Sequence, residues 1–248
     1  MGHDCCSHDQ NHHDESGSCC GGESEASSGG CCGGASKAGG GCCKTREPMK
    51  ALGVEEMQAL PSAQLISRFR RGIEVFDRRV FDLTEEQIDQ AFLPDAGVGR
   101  WPVRVLLGHI ADADLAWIHR MRRAVAEDNP VFAEWDENAF VDSNIYGNEH
   151  DGYADDAEGD HARVMHALGG PMAVIHTLRQ WGGGWLLTLT EAQLDRAGMH
   201  PTRGPVRVRQ MLAMATWHLE HHASFLKKKL DLLSPEHAHH GGGCCGGH

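Results

Sequence analysis

Apolar side chains recur at three- and four-residue spacing in four stretches of the chain, with unpatterned segments between them. The first follows Pro61. Leu65, Ile66, Phe69, Ile73, Phe76 and Val80 keep helical spacing, which predicts one amphipathic helix over SAQLISRFRRGIEVFDRRVFDL. The second opens at Trp101-Pro102, since a helix tolerates proline in its first turn, and extends over about residues 102–127. Its inward stripe is Val105, Leu106, His109, Ile110, Ala113 and Trp117, and Asn129-Pro130 ends it. The third runs from Pro171 through MAVIHTLRQWGGGWLLTL. Each interior glycine costs about 1 kcal/mol against alanine, so Gly182, Gly183 and Gly184 imply a close helix crossing, a kink or a break. The fourth covers residues 206–233 with two adjoining stripes: Met211, Ala215, His218, His222 and Phe225, beside Leu212, Leu219, Leu226 and Leu233.

Shorter signals lie between these. A short helix is expected in VEEMQAL. Thr84 and Gln87 form a capping box that starts TEEQIDQAF, and Thr190 caps EAQLDRA. Residues 128–168 read as irregular and acidic, with a short helical piece in VFAEWDENAF and a surface loop at GNEHDGYADDAEGDH. No segment reads as a convincing strand. Four long helices joined by one long second crossover predict an all-α, antiparallel four-helix bundle.

Composition divides the 248 residues into three parts. Residues 1–50 and 236–248 are rich in Gly, Ser, Cys and His and nearly devoid of large apolar side chains. Ordering a residue costs about 1–2 kcal/mol of backbone entropy, which such segments cannot offset by burial, so both tails are expected to be disordered when metal-free. Residues 51–235 are the expected bundle. Every cysteine lies in a tail as one of an adjacent pair, from Cys5-Cys6 to Cys244-Cys245. A disulfide framework would staple core elements instead. Vicinal thiols among Gly and His can capture soft or borderline ions; a low-complexity tail with no ligand role is the bland alternative.

The formal net charge of −12 argues against a general nucleic-acid binder. No apolar run approaches the roughly 20 residues that span a bilayer. No apolar segment follows Met1 either, so no signal peptide is expected, and the cytoplasm is the expected location. A homodimer is compatible with a bundle of this kind.

Candidate chemistry sits on the inward stripes. His218 and His222 are one turn apart and project from one helix face. Two neutral imidazoles in a core must both find partners, and a metal ion is one partner that satisfies both. His109, from a facing helix, can complete a three-nitrogen site with an open position, the form of most catalytic sites. His221 points elsewhere on the helix. His119, His166, His176 and His200 lack partners in the pattern and read as ordinary polar residues. Asp112, one turn after His109 in LLGHIADAD, could orient an imidazole, approach the metal or act as general base; it could equally be a surface acid.

The pieces RWPVRVLLGHIADADLAWIHRMRRA, EWDENAF and LTLTEAQLDRAGMHPTRGPVRVRQMLAMATWHLEHHASFL resemble the DinB/YfiT-like superfamily of metal-binding four-helix bundles. The resemblance covers roughly residues 62–232. Its motif, one histidine in the second helix and H-x-x-x-H in the fourth, falls on His109, His218 and His222. It implies one divalent ion, zinc or nickel above all, with iron also compatible. It further implies a low-molecular-weight thiol as cosubstrate and S-transfer to a small electrophile, with a hydrolase as the close variant. A metal-handling protein that sequesters or senses ions through its Cys/His tails is the competing expectation.

Overall fold

A computed structural model describes residues 50–147 and 157–233. The tail expectations and the centre of the GNEHDGYADDAEGDH loop lie outside the described residues. The helices, in chain order, are α1 (Val54–Gln58), α2 (Ser62–Arg70), α3 (Glu85–Asp89), α4 (Val103–Ala126), α5 (Glu137–Asp142), α6 (Ala157–Leu186), α7 (Glu191–Leu194) and α8 (Val208–Leu233). α2, α4, α6 and α8 form a four-helix bundle in which α2 and α4 each pack against both α6 and α8.

Two apolar clusters make the core. One joins residues 103–111 of α4, 167–175 of α6 and 219–230 of α8. The other joins Leu65, Ile66 and Phe69 of α2, Ile118 and Met121 of α4, Leu186 of α6 and residues 208–215 of α8. Their order along each helix sets the directions. α4 runs against α8 but alongside α6, and the ion pair Arg68–Glu220 with the Arg209–Ser62 contact places α2 alongside α8. The long crossover after α4 returns the chain to the end where α4 began, which refines the simple alternation expected from four sequential helices.

Three elements differ from the sequence expectation. The first helix ends at Arg70 and continues as two 3-10 turns, Gly72–Val75 and Arg78–Asp82. Gly72 lies against the Arg179 side chain, where a Cβ would come within 2.6 Å of Cδ. The backbone leaves the α-helix where that arginine passes, while Phe76 and Val80 stay buried. The third helix starts near Ala157 rather than at Pro171, which sits inside it. Ala167 and Leu168 are buried there, and Arg163 pairs with Glu85 at 2.7 Å; packing outweighs the local breakers Gly169, Gly170 and Pro171. The same helix runs unbroken through the later glycines because Gly182 meets Ile118 and Gly183 meets Arg70: they permit a close crossing. Lastly, a two-stranded antiparallel hairpin, β1 (Ala197–His200) with β2 (Gly204–Arg207), leads into α8 where no strand is expected. Gly204, at φ +71°, supplies the left-handed turn. The Thr84 and Thr190 capping boxes form as read.

Between the apolar clusters lies a polar layer. Arg179 of α6 donates to both oxygens of Asp114 on α4, at 2.6 and 2.7 Å. It also donates to the carbonyls of Phe69 on α2 (3.2 Å) and Ala215 on α8 (2.8 Å), and it stacks over the Phe69 ring. One guanidinium thus joins all four bundle helices. Burial pushes the Asp114 carboxyl up and Arg179 pulls against it; the two-point contact is that of an ion pair.

Candidate metal centre

His109 reaches the bundle interior because position 109 continues the stripe of Leu106 and Ile110 on α4. His218 and His222 do so because they continue the stripe of Met211 and Ala215 on α8. The antiparallel contact of α4 and α8 then brings the three rings together. His218 Nε2 lies 3.0 Å from His109 Nε2 and 3.1 Å from His222 Nε2. The three donor atoms all fall within 4.8 Å of one another, a cluster that could hold a metal ion.

Protonation alone does not satisfy this cluster. The Nδ1 atoms of His109, His218 and His222 are buried with no hydrogen-bond partner. If the protons sit on Nδ1, three Nε2 lone pairs converge without a cation between them; if they sit on Nε2, three buried Nδ1 lone pairs go unmet. A cation at the convergence point satisfies the Nε2 set at once. Metal ligands must be unprotonated, and burial favours that state. It brings His109 down to about 4 and is the main reason that His222 falls to about 3. His218 is also well below the usual range, chiefly from burial and then from the neighbouring His222 and His109.

Aromatic rings wall the cluster. Trp101, just before α4, packs 4.8 Å from the His109 ring and 6.3 Å from His222. Trp135 stacks on His109 at 5.4 Å and 19°, and Phe140 meets Trp135 edge-on. Glu137, at the start of α5, brings Oε2 to 4.0 Å from His109 Nε2. Sequence reading singles out the EWDENAF segment without giving it a site role; its neutral rings and one acid carry no periodic signal. Lys229, two turns beyond His222, is buried, donates to the Gly99 carbonyl at 2.8 Å and lies over the Phe92 ring. Burial lowers it to about 8.

Asp112 is half-buried and does not orient His109, whose Nδ1 has no partner. It faces Tyr146, whose ring packs against Gly108. The Tyr146 hydroxyl is buried without a hydrogen bond of standard geometry; burial, with help from Asp112 and Glu137, pushes it above the usual phenol range. His221 stacks on Trp217 and stays outside the cluster.

The sequence profile of the DinB superfamily matches residues 68–226, which span the helices that carry all three histidines. The chain belongs to the DinB superfamily. A relative from Oceanobacillus iheyensis, named as a candidate metal-dependent hydrolase, is 25% identical over 185 residues, 73% of this chain and 93% of that protein. A Bacillus licheniformis protein named in the same way is 27% identical over 147 residues, 59% and 72% of the two chains. The structure of YfiT from Bacillus subtilis, described as an unusual four-helix bundle, superposes with a TM-score of 0.53 at 21% identity, covering 76% of this chain and 93% of its own. That likeness shows the four-helix-bundle fold.

Proposed function

We propose that His109, His218 and His222 hold one divalent metal ion, and that the protein is a metal-dependent enzyme transferring a low-molecular-weight thiol to a small electrophile. The observation that carries this reading is the convergence of three buried imidazole Nε2 atoms, within 4.8 Å of one another, as a group that could hold a metal ion. Zinc or nickel is the proposed ion, although three imidazoles by themselves suit iron(II) and copper about equally well. Such an ion, when bound, supplies Lewis-acid activation of a thiol or water in its open position. In the transfer a C–S bond forms, the leaving group departs with its electron pair, and the thiol proton passes to solvent. Trp101 and Trp135 restrict water around His109 and offer apolar surface to the electrophile. A reducing cytoplasm would supply the thiol. Hydrolysis at the same centre is the close variant, favoured by the names of the relatives.

The test uses the full chain with its tail thiols alkylated, stripped of metal and reloaded with zinc or nickel. It is assayed with glutathione, cysteine, coenzyme A and other cellular thiols against chlorodinitrobenzene. We expect metal-dependent conjugation with at least one thiol, lost in His218→Ala/His222→Ala. Conjugation with no thiol would sink the transferase reading. Ion capture by the five Cys-Cys pairs gives a second reading, metal handling without catalysis. It predicts that alkylation removes most of the bound metal and that the two histidine substitutions change it little.

A further inference from the structure

The segment that crosses over the histidine cluster fixes one carboxylate beside it. Asp136 caps α5 by accepting from the backbone N–H groups of Asn138 and Ala139, both at 3.1 Å, which sets Glu137 at the first helical position. Trp135 on one side is stacked on His109, and Phe140 on the other holds Trp135 edge-on at 5.7 Å. The backbone flanking Glu137 is therefore registered against His109 itself. Among the described residues no Lys or Arg pairs with Glu137; its one ion-pair contact is His109 Nε2, at 4.0 Å. That nitrogen is the atom that also meets His218. The carboxylate thus borders the cluster at His109, just outside the three histidine nitrogens that lie within 4.8 Å of one another.

The His109–Glu137 spacing falls within the span of two donors on one ion, and a turn of the Glu137 side chain would bring it into the group with His218 and His222. Metal–nitrogen and metal–carboxylate distances are each about 2.0–2.2 Å, so two ligands of one ion lie no more than about 4.4 Å apart. The Glu137 side chain is 52% exposed, so it has room to rotate towards an ion without disturbing the core. We propose that Glu137 supplies a fourth, carboxylate ligand to the divalent ion held by His109, His218 and His222. This rests on the three-histidine reading. A three-nitrogen, one-oxygen set carries one negative charge. It selects divalent zinc, nickel or iron(II) over soft copper(I), the ion that the tail thiols prefer. It also couples the crossover segment to metal loading.

The test is cobalt(II) binding to the alkylated full chain, read by the visible d–d spectrum and by chelator competition, with His218→Ala/His222→Ala as the blank for tail histidines. Glu137→Ala should lower cobalt affinity by at least about 10–100-fold and alter the d–d band, while circular dichroism stays that of the parent. Glu137→Gln keeps an oxygen donor and should lose less. Affinity within twofold of the parent and an unchanged spectrum in Glu137→Ala would overturn the proposal and leave the histidine site standing. A parent spectrum no different from the histidine blank fails the three-histidine reading itself, and the Glu137 ligand with it.

Discussion

Two polar clusters are buried side by side in this bundle, and they are built on opposite terms. Arg179 donates two hydrogen bonds to Asp114, and its guanidinium meets two backbone carbonyls besides. One turn along α8, three imidazoles crowd together with every Nδ1 orphaned. A folded chain retains an unsatisfied buried group at a cost of about 1–3 kcal/mol unless something else satisfies it. The first cluster is complete as folded and holds the helices together. The second leaves its Nδ1 atoms unpaired and turns three Nε2 atoms towards one point, where they could hold a metal ion.

Breaking the first cluster should have the largest effect. Asp114→Ala or Arg179→Met strands a buried charge and should cost about 3–5 kcal/mol in urea unfolding. Removing both charges as Asp114→Leu/Arg179→Met should cost less than either single change; a double variant worse than both singles would refute a purely structural role. The histidines should behave in the reverse way. Without metal, His218→Leu/His222→Leu removes unpaired polar groups at similar volume and should leave stability near that of the parent. With metal at about 100 times its Kd, the parent gains about 2.7 kcal/mol and the variant none, seen as a lost rise in Tm.

Acid sharpens the contrast further. In the metal-free protein all three folded histidines titrate below the unfolded value near 6.5: His109 at about 4, His222 at about 3, His218 well below. As pH falls past about 6.5 the unfolded chain takes up these protons first. The stability from burying them neutral is therefore full above that pH, is lost on the way to about 4, and levels off once the folded rings titrate. The urea midpoint of chelator-treated protein should follow this course, and His218→Leu/His222→Leu should flatten it. The smallest effect belongs to Tyr146→Phe. It deletes a buried hydroxyl without a standard partner and should shift stability by no more than about 1 kcal/mol, neutral or upward.

The histidine trio was legible in the sequence because helical spacing alone puts 218 and 222 on one face and 109 on an inward stripe. The bundle was legible for the same reason. The start of α6 was not: Gly169, Gly170 and Pro171 look like a helix boundary, and burial of Ala167 and Leu168 overrides them. The 3-10 turns after Arg70 escaped notice because their apolar residues fall at nearly α-helical intervals. Asp112 lies one turn after His109 in sequence yet turns to Tyr146. Trp135 and Glu137, which do reach His109, lie on the crossover, where pairing is set by tertiary contact and leaves no local pattern.

The indoles beside His109 also make the molecule its own optical gauge. Trp101 and Trp135 hold their rings 4.8 and 5.4 Å from that imidazole, close enough for an open-shell cation to quench their emission on contact. Nickel or cobalt entering between the helices would darken both, while zinc, with its filled shell, would leave them bright. Binding of an ion at the proposed site can thus be followed as partial quenching of fluorescence in the unlabelled protein, two of whose six tryptophans lie beside His109.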